Sequence, residues 1–107
     1  MAAEDDVYLQ LSLQRALLGA VTPELRSVSA EIDLEKLWVY IRFIFAREPS
    51  DSEREAAAVA ATEVIAAFSD GWMVDEEYQV LPPEERMSFL RLLVYHRCED
   101  DWVSPYE

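Results

Sequence analysis

The segment WVYIRFIF, residues 38–45, constrains the fold more than any other stretch of this chain. Its β-branched and aromatic residues favour a strand, in which successive side chains point to opposite faces. Val39, Ile41, Phe43 and Phe45, continued backwards to Leu37, fill one face, and Trp38, Tyr40, Arg42 and Ile44 fill the other. A strand with one solvated face alternates apolar with polar residues. This one is apolar on both faces apart from Arg42, so a single layer of helices leaves its second face in need of a separate cover.

The elements around it follow from periodicity. Residues 5–18 carry Leu9, Leu13, Ala16 and Leu17 at helical spacing, with Tyr8, Leu11 and Leu18 broadening the stripe, which predicts a helix covered on more than one side. Gly19 is its stop, and Pro23 marks the change of direction. Residues 26–33 alternate: Val28, Ala30 and Ile32 face inward, and Ser27, Ser29, Glu31 and Asp33 face solvent. The turn DLEK then predicts an antiparallel hairpin with residues 37–47. Ser50 with Glu53, or Ser52 with Glu55, forms a capping-box signature ahead of an alanine-rich helix. On that helix Ala57, Ala61, Val64 and Phe68 share a face beside Ala60 and Ile65, and Asp70 with Gly71 ends it.

A third strand is expected over residues 73–81, with Val74, Tyr78 and Val80 inward and Glu76 as an inward exception close to an edge. LPPEERMS breaks it, since two prolines cannot continue a central strand. A fourth strand over residues 89–98 then places Leu90, Leu92 and Val94 on one face and Arg91, Leu93, Tyr95 and Arg97 on the other. The expected fold is α+β in the order α-β-β-α-β-β, a four-stranded antiparallel sheet with two helices on one face. Its 107 residues make one domain, residues 1–107, with a less regular acidic and aromatic tail at residues 99–107.

Charge narrows the function. Asp and Glu total 22 against 9 Lys and Arg, a net charge of −13 that repels a phosphate backbone and an anionic membrane alike. Such acidity serves solubility alone or draws in a basic partner. The start MAAEDDVYLQ lacks the basic residues of a secretory signal, no apolar run reaches the ~20 residues of a membrane span, and Cys98 is alone, so a cytoplasmic protein is expected.

Catalytic chemistry finds little to work with. His96 and Cys98 stand two apart on a strand, a poor arrangement for a thiol and its base, and one Cys plus one His cannot complete a zinc site. The runs Asp75 to Glu77 and Glu99 to Asp101 lack the pattern of an EF-hand, and two glycines do not build a phosphate loop. The expectation is a protein with no catalytic residues, no metal and no cofactor.

The second face of residues 38–45 is the candidate site. Trp38 and Tyr40 stand there, Asp75 and Glu77 join them from the third strand, and Tyr95 from the fourth, with Asp100, Asp101 and Trp102 in the tail. Aromatic residues exposed on a small domain are typical of protein interfaces. Three covers remain open: the chain itself, through Trp102 or Tyr106 of the tail or through Leu93 and Tyr95 packed beside Trp38 and Tyr40; a second copy; or a basic partner.

The stretches LLGAVTPELRSVSAEID, WVYIRFIF and VAATEVIAAF, with a shorter echo in LVYHR, together resemble a family of small acidic bacterial proteins. That family has a helix running into GxxTPxLRxVS, a strand of the type hxhRFxF and a helix with ATEVIAxF. It is associated with immunity proteins of polymorphic and contact-dependent growth inhibition toxins. The resemblance covers most of residues 9–68. It implies a non-enzymatic protein that binds and neutralises a cognate toxin, here a cationic one. The shared motifs look structural, so the binding specificity is expected on DGWMVDEEYQ and the tail. The alternative is a self-associating structural or adaptor domain, a homodimer without a toxin partner.

Overall fold

The computed structural model describes residues 2–99, with side chains from residue 5 onward. The tail residues Asp100, Asp101, Trp102 and Tyr106 lie outside the described residues. Six elements follow in the order expected: α1 (Ala2–Ala16), β1 (Leu25–Asp33), β2 (Trp38–Phe45), α2 (Asp51–Ala66), β3 (Met73–Val80) and β4 (Leu92–His96).

The expected all-antiparallel sheet is corrected to a mixed one. Its order is β3-β2-β1-β4, with β1 antiparallel to both β2 and β4, and β3 parallel to β2. Parallel neighbours need a long crossover, and α2 between β2 and β3 supplies it as a βαβ unit. The last two strands are not neighbours, because β3 and β4 occupy opposite edges.

Both helices pack on one face. Leu9, Leu13, Ala16 and Leu17 of α1 and its exit meet Ala57, Ala60, Ala61 and Val64 of α2 over Val28, Ala30, Val39, Ile41, Phe43 and Phe45. Small α2 side chains let that helix lie close against its neighbours. Its start is held by the capping box: Glu53 N donates to Ser50 Oγ at 3.2 Å, and Ser50 N donates to Glu53 Oε1 at 2.8 Å. Tyr8 donates its hydroxyl to the Ala67 carbonyl, and its ring meets Phe68 edge-on at 5.1 Å, joining the two helices.

Several expected core positions lie elsewhere. Tyr8, Leu11 and Leu18 are exposed, so α1 is covered on one side only. Leu37 leaves the β2 face because it sits in the turn at a left-handed φ of 55° and is exposed. Val80, on the edge strand, is exposed as well. Glu76 behaves as an edge exception: its carboxylate accepts the Tyr78 hydroxyl at 2.6 Å.

The fourth strand is shorter than expected and irregular. Leu92 pairs with Ala30, Leu93 with Ser29, Tyr95 with Val28 and His96 with Ser27, leaving Val94 as an extra residue. A bulge of this kind shifts the alternation by one. Tyr95 therefore points to the helix side and packs against the core, away from the face assigned to it from sequence.

Residues 81–91 answer the question of the second cover. From the β3 edge they pass across β2 and β1 to the β4 edge, on the face opposite the helices. Ser88 accepts Arg42 Nη1 at 2.9 Å, Leu90 N–H donates to Ser29 Oγ at 3.0 Å, and Phe89 meets the His96 ring at 5.7 Å. Ser27, Ser29 and Ile44 beneath this strap are 0% exposed. The serines taken for a solvated face are buried, and their small size leaves room for the strap.

Candidate functional site

On the outer sheet face the ladder pairing aligns four rows. Asp33, Trp38 and Met73 form the first; Glu31, Tyr40 and Asp75 the second; Ser29, Arg42 and Glu77 the third; Ser27, Ile44 and Gln79 the last. The strap covers the last row and borders the third. Among the described residues nothing lies over the first two rows, and their aromatic residues are half-buried. Strand periodicity thus brings Trp38, Tyr40, Asp75 and Glu77 together as expected.

The Trp38 and Tyr40 rings are stacked with centroids 6.4 Å apart and planes 20° from parallel. Trp38 Nε1 is buried and finds no acceptor among the described residues. Exposed Met73 extends the apolar end of the patch. Around it stand Glu31, Asp33, Asp75 and Glu77 against one cation in the same rows, Arg42. Arg42 Nε donates to Glu77 at 3.1 Å, which offsets one of the four carboxylates. Asp33 accepts from the backbone N–H of Glu35 at 3.0 Å and Lys36 at 3.1 Å, fixing the hairpin turn. A concavity of about 370 Å³ lies between this face and the strap, lined among others by Glu31, Tyr40, Arg42, Asp75, Glu77 and Leu90.

Glu31 and Asp33 were not among the site residues expected from sequence. The alternation of β1 and the hairpin turn carry the signal, since residues opposite Tyr40 and Trp38 share their face. Tyr95 belongs to the other side of the sheet. Glu99, where the described chain ends, sits beside Arg26 near the start of β1, whereas Trp38 pairs with Asp33 at the end of that strand. That places the root of the tail about 20 Å of strand away from Trp38.

His96 lies on the outer face against Phe89, and Cys98 is exposed beyond the end of β4. Among the described residues no three His, Cys, Asp or Glu side chains converge in a way that could hold a metal ion. No helix among them is long and apolar enough to cross a membrane.

The motif residues are structural fasteners. Thr22 Oγ1 donates to Glu53 Oε2 at 3.0 Å, Pro23 accepts Arg97 Nη1 at 2.8 Å, and Arg26 binds the strap. The bond from the Ser50 backbone, with help from Thr22, the Ser50 side chain and Arg47, outweighs desolvation and holds the Glu53 carboxyl at about 2.

Fold and face thus describe a small acidic α+β domain with an aromatic patch left open on one side of its sheet. The family model of the MafI2 immunity protein matches residues 6–99, or 94 of the 107, and the chain belongs to that family. No curated protein matches the chain.

Proposed function

We propose that this protein is a non-enzymatic immunity protein that binds a cognate toxin domain of basic surface and blocks it in the cytoplasm. The observation that carries the proposal is the stacked Trp38 and Tyr40 pair beside four carboxylates, with Arg42 the one arginine in the same ladder rows. Burying the aromatic centre against a partner supplies affinity, because aromatic residues in desolvated patches dominate interface energetics. The carboxylates raise the encounter rate with a cationic surface and disfavour anionic partners. Membership of an immunity-protein family supports a toxin as that partner. Asp100, Asp101 and Trp102 form a second contact in this proposal.

The test is co-expression with a toxic domain encoded beside this gene. Survival of the cells, and recovery of a complex containing one copy of each chain, are the expected results. Cell death at normal levels of this protein, with both chains eluting separately, contradicts the proposal. A stable homodimer that buries Trp38 without any partner favours the self-associating alternative.

A further inference from the structure

We propose that Arg26 is a positioning residue for this face: it anchors the strap, and through the strap it sets the place of Arg42 and of the Leu90 wall. The consequence for toxin binding rests on the function proposed above; the coupling from Arg26 to Arg42 does not.

Arg26 is only 3% exposed, and every nitrogen of its guanidinium is engaged. Nε and Nη2 donate to the two oxygens of Glu99 at 2.9 and 2.8 Å. Nη1 donates to the carbonyls of Leu81, Pro82 and Glu85 at 3.0, 3.0 and 3.1 Å, and Nη2 to that of Pro83 at 3.3 Å. One side chain therefore collects four of the first five strap residues.

The need for it is local. An irregular segment with two prolines has carbonyls that no ladder satisfies, and unpaired backbone groups are costly to bury. The register of β1 slips between Leu25 and Ser27, which leaves Arg26 outside the ladder pairing. A planar fork of five N–H donors meets a carboxylate and several carbonyls at once. A lysine ammonium, with three donors on one atom, cannot.

Beyond this anchor the strap is fixed to the sheet at Ser88 and Leu90. The Ser88 carbonyl holds Arg42 Nη1 at 2.9 Å while Glu77 holds Arg42 Nε at 3.1 Å. The only cation in the four rows is thus shared between the edge strand and the strap. Freed from Ser88, Arg42 swings further over the carboxylates and weakens the negative field that a basic partner meets. Arg26 shapes the face without standing on it.

The experiment compares wild type with Arg26→Lys in 15N-labelled protein, reading amide exchange of the strap and the Nε–H signal of Arg42. Exchange over residues 84–91 should accelerate roughly 10-fold or more while the two helices keep their protection. The Arg42 signal should move, and affinity for the toxin domain should fall roughly 10-fold. If Arg26→Lys does not fold, Glu99→Gln carries the same readouts with a smaller acceleration, since it keeps every carbonyl contact of Arg26. An unchanged Arg42 signal overturns the proposal, as does acceleration shared equally by strap and helices, which marks a merely structural role. A wild-type protein that binds no toxin domain overturns the function proposed above, whereas the Arg42 signal still decides the coupling.

Discussion

Replacing Glu99 with glutamine keeps the shape of the side chain and removes one charge from the cluster that closes the sheet. Hydrogen bonds from Arg26 lower the Glu99 carboxyl most; burial opposes them, bonds from Arg97 assist, and the group is held at about 2 against an ordinary value of 4.5. The folded pKa lies below the unfolded one, so this contribution is complete above about pH 4.5 and is lost as the pH falls through about 2. At about 1.36 kcal/mol per pH unit the drop corresponds to about 3 kcal/mol. The Glu99 side chain is 16% exposed. Solvent screening reduces the expected effect to about 2 kcal/mol. Urea unfolding of wild type and Glu99→Gln should show that gap at pH 7, narrowing below pH 4.5 and closing near pH 2. Glu53 titrates in the same window in both proteins, and the difference between them isolates Glu99. A gap that stays constant with pH refutes the electrostatic account; no gap at pH 7 refutes the cluster's contribution altogether.

Ile44→Ala should cost about 3 kcal/mol in chemical denaturation, the loss for a fully buried aliphatic residue, because the strap seals Ile44 on the outer face; a loss below about 1 kcal/mol contradicts that seal. Ser50→Ala should cost about 1 kcal/mol in a thermal melt by removing the N-cap of α2, and an unchanged melt rejects the capping assignment. Leu37 adopts its left-handed φ at the expense of about 1–2 kcal/mol. Leu37→Gly should therefore gain about 0.5 kcal/mol in chemical denaturation after the extra backbone entropy of glycine is subtracted. A loss of stability shows that Leu37 packing outweighs its strain.

Local signals in the chain are read well from sequence, and of the two capping boxes it offers, Ser50 with Glu53 is the one that starts α2. The β1 and β2 pairing follows from alternation on either side of a short polar turn. Trp38, Tyr40, Asp75 and Glu77 were legible as one face because strand parity is indifferent to direction: Tyr40 meets Asp75 and Arg42 meets Glu77 in a parallel register as well. What failed was long-range. The strand, helix, strand succession from β2 to β3 carries a signal for parallel pairing, but the position of β4 on the far edge has no local trace. Ser27 and Ser29 look solvated because nothing near them in sequence tells that residues 81–91 lie over them. The Pro-rich segment was legible only as an interruption of a strand. Its role as the cover, and the burial of Arg26 that anchors it, exist only once the sheet is assembled. Tyr95 changed faces through a single extra residue, Val94, which alternation cannot detect.

The most direct measurement is calorimetric titration of the purified toxin domain with wild type, with Tyr40→Ala/Asp75→Asn, and with Asp51→Asn/Glu55→Gln. The last pair is exposed at the start of α2, away from the outer face. The outer-face variant should bind at least ~30-fold more weakly, about 2 kcal/mol, with its melting temperature close to wild type. The α2 variant, which removes more charge, should bind within about twofold of wild type. Equal losses in both variants would mean that net acidity alone drives association. An outer-face variant that binds as tightly as wild type would contradict the assignment of that face.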